Sequence, residues 1–397
     1  MALRTSKPAF NLREKVSELD RPVGNHGAQL MRSESPEKSF ELVRAGRKNL
    51  LINGSCQIAQ RDTLSVSNSN ASVQYGGPDR WLQYFYTSGE QARYDFKQTS
   101  VGDSLSERGF KSAMHLDVTT ADTSIAADHS LWTAQRIEGF NCDHLRWGTD
   151  HAKDLTLSFW IKSSVAGYYS VVLAIDNNGD NRYITTYQVD KKDTWEYKVI
   201  HFPGHKSVNI DHDNSTGLEI KFTWMAGSNR IADPNAWNNQ GNKYGATGVD
   251  LANIFSSTSN NLYLTGVQLE EGNTATPFQH LSYGEELALC QRYYQMIDGA
   301  SDLTPFGYGR ANGSQTIEAA VPLTVPLRAT PALTCTHNTA WGHANANTST
   351  TTPSVGRWTK NATVLHATFG GHSGMTNARV VNVHCGSNSN FIMDSEL

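Results

Sequence analysis

The sequence predicts a mainly β protein: a jelly-roll β-sandwich with an N-terminal, partly helical anchoring arm, a short connecting helix and a smaller C-terminal β domain. Several segments alternate apolar and polar residues with a period of two, which places one strand face in a core and the other in solvent. Turn-forming residues separate these segments. Charged residues make up only 18% of the 397-residue chain, as suits a sandwich with long polar loops.

Residues 1–48 form a distinct basic arm. They hold ten Lys and Arg against six Asp and Glu, so the rest of the chain carries −8 and the whole −4. Short helices are predicted after Asn11 and after Ser35-Pro36. Helices this short cannot fold alone, so we expect the arm to pack on other chains; a disordered tail is the alternative. The apolar residues available for that packing are Phe10, Leu12, Val16, Leu19, Phe40 and Leu42.

The body is predicted to begin at Asn49, with residues 49–282 forming the sandwich. A continuous apolar run at 171–175 predicts a strand that is covered on both faces. The turns Asn178-Gly179-Asp180 and Pro203-Gly204 punctuate the strands. The predicted strands are residues 50–52, 81–86, 155–162, 171–175, 195–199 and 218–224.

A connecting helix is predicted at residues 283–296. Leu287, Cys290 and Tyr294 share one of its faces, and its acidic residues come early, as the helix dipole favours. Residues 297–397 are then a second β domain. In this domain we predict strands at 316–325 and 362–369 and an exposed loop at 336–356.

Cysteine spacing and hydropathy indicate where the chain is made. The five cysteines are dispersed and show no metal-ligand spacing, which predicts free thiols formed in a reducing compartment. We see no signal peptide and no apolar stretch long enough to insert into a membrane. The arm has no run of like charges, so nucleic acid is not an expected partner. We expect synthesis in a cytoplasm.

The sequence predicts no enzymatic activity, because it contains none of the common hydrolase or nucleotide-binding motifs and no β-helix repeat. Asp150-His151 and Asp211-His212-Asp213 lie in polar, loop-like sequence, where solvated side chains are the expected state. Residues 176–180 are rich in oxygen ligands, as calcium loops are, but a hairpin turn explains the same residues. We predict no catalytic residues, no metal site and no required cofactor.

Glycan binding is the function that the aromatic residues favour, since sugars stack on flat rings and bond to planar polar side chains. Trp237 and Tyr244 lie in an amide-rich loop, and Trp147 lies in a similar segment. These three are the candidate glycan-binding residues. The alternative is that each ring packs on its own loop or in a subunit contact. Tryptophans in predicted strands, such as Trp160 and Trp195, are assigned to the core.

Three segments taken together resemble bacteriophage tail-fibre and virion appendage proteins built on a carbohydrate-binding-module-like jelly roll, with fibres of T7-like cyanophages as the nearest analogy. They are residues 45–54 with Gln60-Arg61, residues 78–81, and residues 264–278 continuing into 286–294. The resemblance covers roughly residues 45–295. Residues 8–15 look like the virion-anchoring arm of such proteins.

The resemblance implies a homotrimeric tail fibre, attached to other virion proteins through residues 1–48 and contacting host-surface polysaccharide. It places the protein in the virion after synthesis in the host cytoplasm. A head fibre or capsid decoration protein is the alternative, and a glycan-degrading tailspike ranks below it. Glu270 and Glu271 could bind the structural calcium of many carbohydrate modules, although exposed acids are the preferred interpretation. Residues 297–397 are a candidate receptor-binding tip.

Overall fold

The computed structural model describes residues 47–67, 72–87, 92–176, 181–298, 304–313, 315–336, 339–342, 348–350, 353–357, 362–370, 377, 380–385 and 390–397. The chain divides into two compact units, residues 1–48 and 49–397. The six predicted anchor residues (Phe10, Leu12, Val16, Leu19, Phe40 and Leu42) and the turn at 178–180 lie outside the described residues.

Two antiparallel sheets make up the sandwich, which confirms the predicted fold class. The six-stranded sheet has the order β1 (Leu64–Val66), β4 (Arg93–Ser100), β5 (Ser112–Thr120), β15 (Asn261–Glu271), β7 (Leu155–Ser163), β10 (Glu196–Phe202). The seven-stranded sheet has the order β13 (Trp237–Asn238), β9 (Asn181–Val189), β8 (Gly167–Ile175), β11 (Thr216–Ala226), β6 (Ser130–Glu138), β3 (Leu82–Tyr86), β2 (Ser72–Tyr75). A short helix, α1 (Asp103–Ser106), and four 3-10 turns (Gly139–Asn141, Asp143–Leu145, Ser228–Arg230, Ile254–Ser256) lie in the connections.

The core of the sandwich forms where the inward faces of the two sheets meet. On β7 the inward residues are Leu157, Phe159 and Ile161, and on β11 they include Phe222 and Trp224. All five are 2% exposed or less. Each such side chain contributes about 1.5–3 kcal/mol relative to an exposed one, so the period-two pattern fixes which face of each strand is buried.

Strand β8 is covered on both faces, as its continuous apolar run predicts. Val171 and Leu173 point into the sandwich core, whereas Val172 packs beneath a second layer on the outer face. That layer is the segment after β11, which contains the short parallel pair β12 (Ile231–Ala232) and β14 (Gly245–Ala246). Ala232 and Ala246 close over Val172.

The predicted first strand at residues 50–52 is instead a buried, bent segment. Side-chain amides take the place of a strand ladder there. The Asn49 side chain accepts hydrogen bonds from the amides of Leu51 and Leu269, each 3.0 Å long. The Asn53 side chain donates to the carbonyls of Ile58 (2.7 Å) and Asp79 (3.0 Å). An apolar run can therefore be buried without forming a strand.

The connecting helix α2 (Tyr283–Gln291) is shorter than predicted. Ser282 caps it in a reciprocal arrangement with Glu285, and its last turn ends at Arg292. Tyr294, predicted on the helix face, begins strand β16 instead, because it pairs with residue 394 at the far end of the chain.

Two further sheets form the C-terminal region. The three-stranded sheet has the order β16 (Tyr294–Asp298), β25 (Asn390–Asp394), β19 (Ala332–Thr336). The seven-stranded sheet has the order β21 (Thr348–Thr350), β20 (Thr339–Gly342), β24 (Val380–Cys385), β17 (Thr304–Asn312), β18 (Thr316–Pro322), β23 (Val364–Phe369), β22 (Pro353–Arg357). The predicted loop at 336–356 is wrong, since β20, β21 and the start of β22 lie in it; Thr-rich sequence is compatible with strands once neighbours pair with it.

Buried ion pairs join the sandwich to the C-terminal region. Glu138, at the end of β6 and 1% exposed, accepts hydrogen bonds from the Arg292 guanidinium at 2.9 and 2.8 Å and from the Tyr293 hydroxyl at 2.6 Å. Arg80, also 1% exposed, pairs with Glu396. Breaking a buried pair leaves an uncompensated charge, so these contacts fix the two regions against each other.

Candidate functional site

An aromatic pair lies on the outer face of the six-stranded sheet, with Trp160 half-buried against a small apolar cluster around Phe110. Trp160 of β7 and Tyr197 of β10 are directly opposite each other in the antiparallel register, and both point away from the core. Their ring centroids are 5.2 Å apart, and Tyr197 is 43% exposed. Neighbouring core residues Phe159 and Ile161 point inward, so the strand alternation itself turns Trp160 outward.

A cleft of about 430 Å³ is built around this pair. Its walls come from β7, β10, the turn after α1 and the segment that follows β15. The residues that line it are Arg108, Phe110, Ser158, Trp160, Tyr197, Gly266, Pro277, Phe278 and His280. None of these is an aspartate or a glutamate.

A β-bulge shapes the floor of the cleft. The pairing of β15 with β7 shifts register between Thr265 and Gln268, and Gly266 lies in the shift with a φ of +60°. A Cβ atom at this position would lie 2.8 Å from the Phe110 ring and 3.1 Å from Trp160. Glycine therefore lets the aromatic rings approach the backbone, as bulges beside functional sites often do.

A second aromatic group continues along the same face. Lys162 lies two residues beyond Trp160 on β7, about 7 Å along the strand. Its ammonium group is 4.1 Å from the ring centroid of Tyr263 and 5.4 Å from that of Trp195. Tyr263 stacks on His115 with centroids 4.2 Å apart. The outer face thus carries rings in two successive rows, and the Lys162 ammonium lies over the rings of the second row.

Burial sets the protonation of the histidines on this face. Burial, reinforced by Lys97 and Lys162 and opposed by Asp117, lowers the pKa of His115 to about 4. Burial also lowers the pKa of His280 below its usual value. Both rings are therefore neutral at pH 7, and the formal positive charge at the cleft comes from Arg108.

Flat rings beside polar groups suit sugar binding. A pyranose can lay its C–H face on Trp160 or Tyr197 while its hydroxyl groups bond to polar side chains at the rim. Glycoside hydrolysis by the usual route needs two facing carboxyl groups, and the cleft lining supplies none. The arrangement can bind a glycan without the usual groups for cleaving it.

The structure places two of the predicted glycan-binding residues, Trp147 and Trp237, next to each other. Their rings meet edge to face at 5.4 Å. Trp147 is 5% exposed and donates to the Lys153 carbonyl at 2.8 Å, so its ring is part of the core. Trp237 is half-buried against Tyr183 and His205. Only Trp237 keeps part of its ring accessible.

Tyr244, the third predicted residue, lies on the outer face of the other sheet. It is 8% exposed and packs with Trp132 and Leu82. The Arg182 guanidinium lies 4.7 Å from its ring centroid. Glycan binding by Trp147, Trp237 and Tyr244 stays a prediction, and burial leaves Trp147 and Tyr244 little ring surface for it.

Two of the clusters noted in the sequence lie among the described residues, Asp150-His151 and Asp211-His212-Asp213, whereas residues 177–180 lie outside them. The His212 ring lies 2.5 Å from the Asp143 carboxylate, and both side chains are exposed. Glu270 is fully buried and accepts hydrogen bonds from the Thr276 amide (2.8 Å) and hydroxyl (2.7 Å). These bonds suit a carboxylate that stabilises the turn before Thr276 better than one that binds calcium. Glu271 pairs with Lys153 at 3.2 Å. Across the described residues, no three His, Cys, Asp or Glu side chains group to hold a metal.

The assignment of Trp160 and Trp195 to the core is confirmed in part, since both are half-buried and pack on the apolar cluster around Phe110, outside the main core of the sandwich. Their place on the outer face of the sheet was not predicted. The signal was present for Trp160: the odd positions of residues 155–162 are apolar, and Trp160 is the large apolar residue at an even position. Strand alternation therefore placed it on the solvent side. Phe278 and Arg108 carried no such signal, because their place depends on how loops return to the sheet.

No family model and no curated protein matches this chain. Among solved structures, it is similar to a provisionally assigned sugar-binding protein from Bacteroides thetaiotaomicron (12% identity, 56% of this chain and 100% of that chain, TM-score 0.32). It is also similar to a family 11 carbohydrate-binding module from Clostridium thermocellum in complex with a mixed-linked tetrasaccharide (16%, 53% and 98%, TM-score 0.26). A third is the enzymatically active domain of tailspike protein 4 of bacteriophage CBA120 (11%, 56% and 21%, TM-score 0.28). These likenesses concern the fold.

The part of the chain described here contains no helix with the length and apolar character needed to span a membrane. Cys56, Cys142 and Cys290 are buried free thiols, as predicted for these three positions.

Proposed function

We propose that this protein is a non-enzymatic glycan-binding appendage, which binds surface polysaccharide in the cleft around Trp160. The observation that carries the proposal is the outward Trp160–Tyr197 pair in a cleft whose lining holds polar groups but no carboxylate. Tyr197 is exposed and Trp160 is half-buried beside it, and an accessible apolar patch of this kind marks an interaction site in many soluble proteins. Placement on strands also holds the rings in a fixed position for stacking.

Substitution of Trp160 by alanine tests the site. We expect the variant to lose about 2 kcal/mol of glycan affinity, or about 30-fold in Kd, since a tryptophan at the centre of an interface commonly contributes that much. Tyr308→Ala is the matched control, because Tyr308 is 68% exposed on β17 and outside the cleft. Affinity would be measured by glycan array and then by calorimetry on the best oligosaccharide.

Two results would contradict this placement. If Trp237→Ala abolished glycan binding and Trp160→Ala did not, the site would lie at the predicted loop residue. If Trp160→Ala changed the oligomeric state, the aromatic face would be a subunit interface. Analytical ultracentrifugation of both variants measures the second outcome.

We further propose that the chain is a homotrimeric phage tail fibre that joins the virion through residues 1–48. The support is the basic, weakly self-sufficient sequence of this segment and the resemblance of residues 45–295 to fibre proteins. Deletion of residues 1–48 should leave a soluble body that no longer joins the particle, and normal incorporation would refute the anchor.

A head fibre or capsid decoration protein is the second candidate, and cryo-electron microscopy of the particle distinguishes it by location. A glycan-degrading tailspike ranks below both. Release of new reducing ends from host polysaccharide by the purified protein would establish that activity instead.

A further inference from the structure

We propose that the glycan bound in the cleft carries a carboxylate, and that Arg108 recognises it. This inference rests on the proposed function and adds the chemical class of the sugar. It starts from the charge of the cleft: Arg108 is the one formally charged residue among the nine that line it. A site with a cation and no acid is complementary to an anionic ligand.

Hydrogen bonds hold the backbone at Arg108 in place, and no carboxylate in the described part of the chain neutralises its side chain. It lies in the turn after α1, where its amide donates to the Leu105 carbonyl at 3.0 Å and the next amide, of Gly109, donates to Ser106 at 3.1 Å. Its side chain is exposed, and no ion pair joins it to a carboxylate of any described residue. By contrast, Arg80 and Arg292 each hold a buried carboxylate.

Trp160 orients the guanidinium for this task. The central guanidinium carbon of Arg108 lies 5.0 Å from the Trp160 ring centroid. A guanidinium that stacks on a ring keeps the N–H groups at its edge free, and these groups match the two oxygens of a carboxylate. A sugar that stacks on Tyr197 in the same cleft can then present its acid group to Arg108.

The surrounding charges leave this preference intact. His280 is neutral at pH 7, because burial lowers its pKa, so it offers a hydrogen bond and not a second charge. Asp117 and Asp193 are the acids whose charges act on Tyr263 in the second aromatic row, and Lys97 pairs with Asp117 at 3.1 Å. Lys162, above Tyr263, adds positive potential for a longer acidic chain.

The test compares acidic polymers with neutral forms of the same backbone. Polygalacturonate, alginate and hyaluronan are each assayed beside the carboxyl-reduced polymer, together with an array of acidic and neutral bacterial-type glycans. We expect the acidic form to bind at least about tenfold more tightly, as a charge-assisted hydrogen bond to a carboxylate implies. Raising NaCl from 0.05 to 0.5 M should weaken acidic binding only.

Arg108→Gln then assigns the effect to one residue. It should weaken binding of the acidic glycan about tenfold and leave the neutral form unchanged. Arg146→Gln is the matched control, since Arg146 is exposed and outside the cleft. Equal affinity of both polymer forms, or an unchanged Arg108→Gln variant, would overturn the inference. If Trp160→Ala still abolished binding in that case, the proposed function would stand. If the wild-type protein bound no glycan at all, the proposed function and this inference would both be wrong.

Discussion

Replacing Glu138 with glutamine should loosen the junction between the sandwich and the C-terminal strands. The carboxylate of Glu138 is buried at the end of β6 and accepts three hydrogen bonds, two from Arg292 and one from Tyr293, at 2.6–2.9 Å. Glutamine keeps the shape but turns one acceptor oxygen into an N–H₂ group. That group would face donors, and the guanidinium would lose its counter-charge.

The expected destabilisation is about 3 kcal/mol. Removing one partner of a buried ion pair costs about 3–5 kcal/mol, and the lower end applies because the Arg292 side chain is 33% exposed and can be partly rehydrated. Urea unfolding followed by tryptophan fluorescence measures it, with an expected midpoint shift of about 1 M for a slope near 3 kcal/mol/M. Asp117→Asn is the control, since its pair with Lys97 is 39% and 34% exposed and contributes about 0.5 kcal/mol.

The pH dependence of the stability difference between wild type and Glu138→Gln is a second test. Burial alone would raise the pKa of Glu138, but the hydrogen bonds from Arg292 and Tyr293 outweigh it and hold the pKa below its ordinary value of 4.5. The stabilisation is therefore complete above pH 4.5 and is lost as pH falls through the lowered folded-state pKa. The buried ion pair would not stabilise the junction if the stability difference between wild type and Glu138→Gln matched that of the control, or if it stayed constant from pH 7 to pH 3.

Three further predictions follow from the same structure. Gly266→Ala should cost about 1–3 kcal/mol of stability, because the residue has a positive φ, and should weaken glycan binding, because the new Cβ meets Phe110. Thermal unfolding and calorimetry measure the two effects, and a substitution without effect on either would contradict the bulge geometry. The ring protons of His115 should titrate in NMR near the lowered pKa of about 4, and titration near 6.5 would contradict this prediction. The free energy of unfolding should fall as pH drops from 6.5 toward 4, and His115→Phe should remove that dependence. Burial raises the pKa values of Cys56 and Cys142 to about 12, so neither thiol should react with Ellman's reagent at pH 8 until the protein unfolds, as peptide mapping would show.

Periodicity was enough to predict the sandwich because each strand has only two faces. The alternation at residues 155–162 fixes which side chains of β7 enter the core, and it also places Trp160 outside. The assignment of Trp160 to the core missed the direction of its ring, which points outward and is half-buried against a second apolar cluster outside the sandwich core. Fold and site were therefore encoded by the same local pattern at this strand.

Contacts between segments far apart in the sequence could not be predicted from local sequence. Tyr244 is buried because its loop folds back over the seven-stranded sheet, and its amide-rich neighbours gave no indication of that. Tyr294 leaves the helix because a strand partner about a hundred residues later pairs with it. Arg108 and Phe278 reach the cleft from two different connections. Each case depends on tertiary contacts that outweigh local propensity.

A crystal structure of the protein with its best-binding oligosaccharide would locate the glycan site. We expect a sugar ring stacked on Trp160 or Tyr197, on the outer face of the six-stranded sheet, with an acid group at Arg108. A sugar seated against Trp237, or an empty cleft beside a glycan bound elsewhere on the chain, would contradict it.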